Sequence, residues 1–152
     1  QKPQIWSTRI AWQLVLNLMG DAEDYLVLEG EGLNSEDFEK ENNDALMIVK
    51  MWAEMDLFLF YGEYKRAATV ALDRGDKDHF FSGHMAMLEN FHRCLALYGM
   101  ARQTKQRKYT KPANLIRKRI HEWAEAGNPN VKHYDHALQA EQAALDGKYD
   151  VS

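Results

Sequence analysis

The chain repeats one short phrase, Gly62-Glu63-Tyr64 followed by Ala67, and Gly147-Lys148-Tyr149. In both places a run with apolar residues every three or four positions stops at the glycine, and a Tyr opens the next segment. Glycine reaches the left-handed backbone conformation that ends a helix without a steric penalty, so each phrase predicts a corner where one helix turns back on the next. Tyr109, preceded by Arg107-Lys108, stands between the two copies, and Tyr64, Tyr109 and Tyr149 are 45 and 40 residues apart. Such an interval accommodates one helical hairpin per period. The pattern predicts an all-α chain of antiparallel helical hairpins. Gly62, Tyr64, Ala67, Gly147 and Tyr149 are its structural turn positions: the ring covers the end of the preceding helix, and the alanine lets two backbones approach.

The rest of the chain reads as helix between polar breaks. From Ser7 to Gly20, Ile10, Leu14 and Leu18 recur every four residues with Ala11 and Val15 on the same side. Asp21 to Asp44 holds ten acidic residues against Lys40 alone and reads as a long connection, with a short helix capped by Asn34 or Ser35. Asn43 or Asp44 caps the most apolar segment, 45–61, which predicts a helix covered on several sides. The next helix spans Tyr64 to Arg74. Another, His84 to Arg102, places Met85, Leu88, Phe91, Leu95 and Tyr98 on one inward stripe. Thr110 is the expected cap of the next, with Pro112 in its first turn and Ile116, Ile120 and Trp123 inward. After the break at Gly127-Asn128-Pro129-Asn130, a last helix aligns Tyr134, Leu138, Glu141 and Leu145.

At 152 residues, with 45% apolar and 28% charged side chains, the sequence predicts one folded domain over 1–152. Cys94, the only cysteine, excludes a disulfide within the chain and sits among apolar neighbours as a small core residue. No stretch approaches a membrane span and no signal-peptide pattern opens the chain, which makes the cytoplasm the expected location. The sequence opens on Gln1 and ends at Ser152, just where a further helix is due, so a piece of a larger protein is expected.

The segments Leu16-Asn17-Leu18, Leu28-Glu29-Gly30-Glu31, Leu59-Phe60-Tyr61-Gly62-Glu63-Tyr64 and Gly127-Asn128-Pro129-Asn130 through Ala143-Ala144-Leu145-Asp146-Gly147-Lys148-Tyr149 carry a resemblance. They resemble the helical, tetratricopeptide-like region that follows the AAA-type or STAND ATPase module of very large signalling proteins such as hybrid histidine kinases and related kinases or cyclases. The interval exceeds the roughly 34 residues of a regular unit and the Trp-x-x-Leu-Gly signature is missing, so the repeat is irregular. The resemblance implies a tetratricopeptide-like α-solenoid that works as a non-catalytic protein–protein interaction or regulatory scaffold. Its partner is another protein or a neighbouring domain of the same polypeptide. The chain has no Gly-x-x-x-x-Gly-Lys-Ser/Thr loop, and neither a cofactor nor phosphotransfer is carried over to these residues.

Other constellations have weaker spacing. His133 and His136 lie three apart around Asp135, with His79 and His84 as further candidates, but no His-Glu-x-x-His or Cys-x-x-Cys pattern supports a metal site, and none is assigned. Ser82, Cys94 and Thr110 are possible nucleophiles that no motif ties to a base, and Glu39, Glu41 and Asp44 form a solvated carboxylate group; no catalytic residue is assigned. His92, beside the apolar stripe of its helix, is expected as a hydrogen-bonded interior residue.

Charge is more informative. Between Ala101 and His121 there are eight Lys or Arg residues and no acid: Arg102, Lys105, Arg107, Lys108, Lys111, Arg117, Lys118 and Arg119. With Tyr109 inside it, this strip is the candidate binding surface of the alternative reading, a nucleic-acid-binding helical domain. Against that reading stands a formal net charge of -4, and pairing with the acidic segment explains the strip equally. Among Trp6, Trp12, Trp52 and Trp123, any that is exposed beside other apolar residues becomes the candidate interface anchor. Trp12 lies off the Ile10-Leu14-Leu18 line.

Overall fold

The computed structural model describes residues 3–76 and 81–147, and among them the regular structure is seven α-helices and one 3-10 helix, with no strand. None of these helices is long and apolar enough to cross a membrane. The chain divides into two compact units, 1–63 and 64–152.

The first unit holds α1 (Pro3–Met19), α2 (Ser35–Glu39) and α3 (Asp44–Phe60). The Asn34 side chain accepts the Asp37 N–H at 2.9 Å, and Asn43 accepts those of Ala45 and Leu46 at 3.0 and 3.2 Å. Each such cap is worth about 1 kcal/mol to its helix. Trp6 and Ile10 of α1, Leu28 and Leu33 of the connection, Phe38 of α2 and Leu46, Ala53 and Leu57 of α3 form one buried cluster. The C-terminal ends of α1 and α3 lie together, because the Tyr61 hydroxyl donates to the Asn17 carbonyl at 3.1 Å. At the other end Trp6 meets Phe38 edge to face. With Trp6 and Leu46 in one cluster at one end and Tyr61 on Asn17 at the other, these two long helices run parallel, joined by the long connection expected between them, and do not form an antiparallel hairpin.

Two buried amides shape that connection. Gln13 Oε1 accepts the N–H groups of Gly32 and Leu33 at 2.8 and 3.3 Å, while its Nε2 donates to Glu29 O and Asn17 Oδ1, each at 2.9 Å. Asn17 Nδ2 lies within 2.7 Å of Val27 O and also faces the carbonyls of Asp24 and Tyr25. The acidic connection is thus folded onto one face of α1; Asp21, Glu23, Asp24 and Glu31 are exposed, while the half-buried Glu29 carboxylate accepts the Ser35 N–H.

Gly62 closes α3 as predicted. Its φ is +73°, its N–H donates to Leu59 O at 3.2 Å, and the next N–H, that of Glu63, donates to Phe58 O at 2.8 Å. This is the paired hydrogen-bond pattern of a left-handed helix stop. Gly147 ends the last helix with φ +71°; Lys148 and Tyr149 lie outside the described residues.

The second unit comprises α4 (Tyr64–Arg74), α5 (Gly83–Thr104), α6 (Arg107–Glu125), the 3-10 helix Pro129–Val131 and α7 (Lys132–Leu145). Hydrogen bonds set their directions. Arg119 reaches Asn90, Cys94 reaches the Ala113 carbonyl, and a two-residue turn joins Thr104 to Arg107, so α5 and α6 are antiparallel. Tyr64 against Gly99 and Arg74 against Glu89 make α4 and α5 antiparallel as well. Helix α5 packs on α4, α6 and α7 together.

Two expectations are overturned in this unit. On α5, Met85 is exposed and Leu88, Phe91 and Leu95 are half-buried, whereas Glu89, Asn90, Arg93, Cys94 and Leu97 are buried. A single inward stripe presumes a single covered side, and α5 has three neighbours. Helix α6 begins at Arg107, three residues before the expected cap, because Lys105 takes the left-handed conformation (φ +55°) and closes the turn early. The Thr110 hydroxyl donates back to Gln106 O at 3.0 Å instead of capping a helix start.

Candidate functional site

The structure disperses the basic strip. Arg119 turns inward, where it holds both carboxylate oxygens of Asp76 and donates to Asn90 Oδ1 at 2.8 Å. Arg102 pairs with Glu141 of α7 at 2.9 Å, and Lys105 Nζ lies 3.4 Å from Leu145 O. Lys108 Nζ sits 4.8 Å from the centre of the Tyr109 ring. Tyr109 itself is buried, so it offers no face to a nucleic acid base. Arg107, Lys111 and Lys118 remain on one stripe of α6, beside half-buried Arg117 and exposed Leu115, and Lys118 lies 3.8 Å from Glu122.

Around Arg119 is a cluster that sequence inspection missed. Arg74 Nε lies 3.3 Å and Arg93 Nε 3.8 Å from Glu89 Oε1, and Arg93 also lies 3.4 Å from Asp76 Oδ1. A cavity of about 50 Å³ sits among these groups beside Phe81 and Trp123. Its size suits solvent. The Arg119 hydrogen bond holds the Asp76 carboxyl down at about 2. Burial pushes Glu89 up and Arg93 down, each against the attraction of its partners, so desolvation outweighs pairing at this buried pair. The cluster ties the end of α4 to α5 and α6. The spacing of Glu89 and Arg93, one helical turn apart, was visible in the sequence; that the pair points inward was not.

The other candidates do not converge. Among the described residues no three His, Cys, Asp or Glu groups are placed to hold a metal. His133 and His136 are exposed, His84 stands 6.4 Å from the Tyr134 ring, and His79 lies outside the described residues. His121 instead pairs with buried Asp135 at 3.0 Å, and that hydrogen bond raises its pKa. Cys94 is buried, its Sγ 3.3 Å from Ala113 O, and burial pushes its thiol up, far from a thiolate at neutral pH. Ser82 and Thr110 have no base in hydrogen-bond contact among the described residues. Half-buried His92 keeps its place on α5.

The tryptophans separate cleanly. Trp6 is buried and Trp52 and Trp123 are half-buried, whereas Trp12 is 45% exposed. Trp12 shares the outer face of α1 with Ile5, Val15 and Met19, of which Met19 is 68% exposed. Val15, expected on the core side, is outside: the buried face is Trp6, Ile10, Gln13 and Asn17, so two amides occupy places that an apolar stripe leaves unassigned. Over its 17 residues α1 carries one charge, Arg9, which lies 5.2 Å from the centre of the Trp6 ring. Elsewhere in this unit Tyr25 and Phe60 are exposed, each with its ring against Tyr61. A helix with an apolar outside and scarcely a charge is a surface made to be covered. No family model, no curated protein and no solved structure matches the chain.

Proposed function

We propose that this chain is a non-catalytic protein–protein interaction or regulatory scaffold of a larger signalling protein in the cytoplasm, built on stacked, tetratricopeptide-like helical hairpins. The observation that carries the reading is the apolar outer face of α1 with Trp12 half exposed at its centre. Tryptophan beside aliphatic and methionine side chains is the composition of an interface anchor. The stacking part of the proposal draws on α5 packing against both the next helix and the one after it, as in layered hairpins. Arg102, Lys118 and Arg119 have carboxylate partners within the chain and the Tyr109 ring is buried, which weighs against nucleic acid as the partner.

A photo-crosslinking amino acid placed at position 12, and separately at position 111, in the full-length protein within its own cell tests this. Protein adducts from position 12 are expected. Nucleic acid adducts from position 111, or no protein adduct from position 12, would overturn the reading.

A further inference from the structure

We infer that the groove between α6 and α7 docks an acidic helical segment of a partner protein; this rests on the interaction reading above and adds to it a second face with a partner of defined charge. What remains of the basic strip gathers here. Arg107, Lys111, Leu115 and Lys118 are exposed and follow one another along α6 at steps of four, four and three, so they share one face over about 16 Å of helix. Across from them α7 supplies Gln142 and Asp146, and the two helices bound an open groove of about 720 Å³.

The positive charge of this groove is unmatched within the chain. Among the described residues Arg107, Lys111 and Arg117 make no ion pair, and Lys118 has only Glu122, at 3.8 Å on an exposed surface. Arg117 Nε is buried without a hydrogen-bond partner, an unmet donor beside the groove. Among the described residues of the lining Asp146 is the one carboxylate, and it already accepts Gln142 Nε2 at 3.0 Å. Cations one helical turn apart stand about 6 Å from each other, inside the screening length of about 8 Å at physiological salt, so their fields add. A chain of formal net charge -4 thus keeps one locally cationic face.

The chemistry of the face selects its occupant. An amphipathic helix lies in such a groove and presents side chains to it at intervals of three and four. Running antiparallel to α6, it sets its negative C-terminal end beside the positive N-terminal end of α6. An acid, an aliphatic residue and two further acids at steps of three, four and four then meet Lys118, Leu115, Lys111 and Arg107 in turn. Leu115, 57% exposed among these cations, separates this partner from nucleic acid. An aliphatic side chain covers it, whereas a phosphate backbone would lay charge on it, and no described residue of the lining has an aromatic ring on which a base could stack.

Fluorescence anisotropy of a labelled, alanine-based helical peptide, with glutamate, leucine, glutamate and glutamate at those steps, tests this on the 152-residue chain. Binding is expected, weakening as salt rises and lost when the glutamates are exchanged for glutamine. Lys111→Glu should weaken it by about tenfold or more, because like charges then face each other. Leu115→Ala should weaken it by roughly fivefold through lost apolar contact. Lys65→Glu, the same charge change at an exposed site on α4, should alter it by less than about twofold. No binding at millimolar peptide, equal losses in Lys65→Glu and Lys111→Glu, unchanged binding in Leu115→Ala, or tighter binding of a DNA oligonucleotide of the same net charge would each overturn the proposal. If the peptide does not bind while position 12 still crosslinks to protein, the groove is wrong and the interaction reading stands; nucleic acid adducts from position 111 in the cell would end both.

Discussion

Gly99 of α5 lies directly against the ring of Tyr64 of α4: a β-carbon at position 99 would come within 2.8 Å of Tyr64 Cγ and 2.9 Å of Cε1. The Tyr of the repeated phrase thus does its work on the following helix, where the absence of a side chain makes room for it. Fully buried Ala67 and Ala68 on α4 keep the two backbones close along the same face. Gly99→Ala should destabilise the protein by about 1–3 kcal/mol, the usual cost of overfilling a packed site. In a Tyr64→Ala background the same substitution should cost less than half as much. Chemical denaturation of the four proteins of this cycle measures the difference, and equal costs in both backgrounds would remove the contact from the account.

Gln13 is the hinge pin of the acidic connection. Gln13→Leu keeps the approximate volume but strips the acceptor from Gly32 and Leu33 and the donor from Glu29. Each group left buried without a partner costs about 1–3 kcal/mol. Hydrogen exchange at the Gly32 and Leu33 amides should accelerate by at least tenfold, while amides in the middle of α5 keep their protection. Unchanged exchange at both loop amides would contradict the assigned bonds.

The corner residues make opposite predictions. Gly62 and Lys105 both occupy the left-handed region, with φ +73° and +55°, a conformation that costs a residue with a β-carbon roughly 1 kcal/mol. Gly62→Ala should therefore lower stability by about 1 kcal/mol, and Lys105→Gly should raise it by a similar or smaller amount, less the contact its Nζ makes with Leu145 O. Thermal unfolding midpoints that move the same way in both variants would contradict this.

Asp76 gives the fold an acid limit. Its folded-state pKa is lowered to about 2 by Arg119, so its contribution is full above the ordinary carboxylate value and is lost as pH falls through about 4 towards 2. Arg119→Met should return the carboxyl towards its usual range and flatten the stability profile between pH 4 and 2. Unfolding profiles that coincide over that window would show that the pair contributes nothing.

Helix content and most corners were legible in the sequence because they depend on neighbours in the chain. Gly62 and Asn43 act locally, and their roles stem from glycine's backbone freedom and the amide's short reach. The direction of α3 relative to α1 was not legible. The crossover that makes them parallel is fixed by Gln13 and Asn17, polar residues that an apolar-stripe argument assigns to the outside. The same inversion hid the site: Val15 looks like core and Gln13 like surface until the connection folds over the amides. Arg119 could not be separated from Lys111 and Lys118 by sequence either, since its partners Asp76 and Asn90 come from elsewhere in the chain.

Hydroxyl-radical footprinting of Trp12 and Met19 tests the central claim, that the outer face of α1 is covered by protein at work. Labelling is compared between the full-length protein in its own cell extract and the purified chain diluted until it is monomeric. Trp12 and Met19 should be protected severalfold in the extract, with exposed Met85 labelled equally in both. Equal labelling of Trp12 and Met19 in the two states would mean that the face stays open to water, and the interaction account would be wrong.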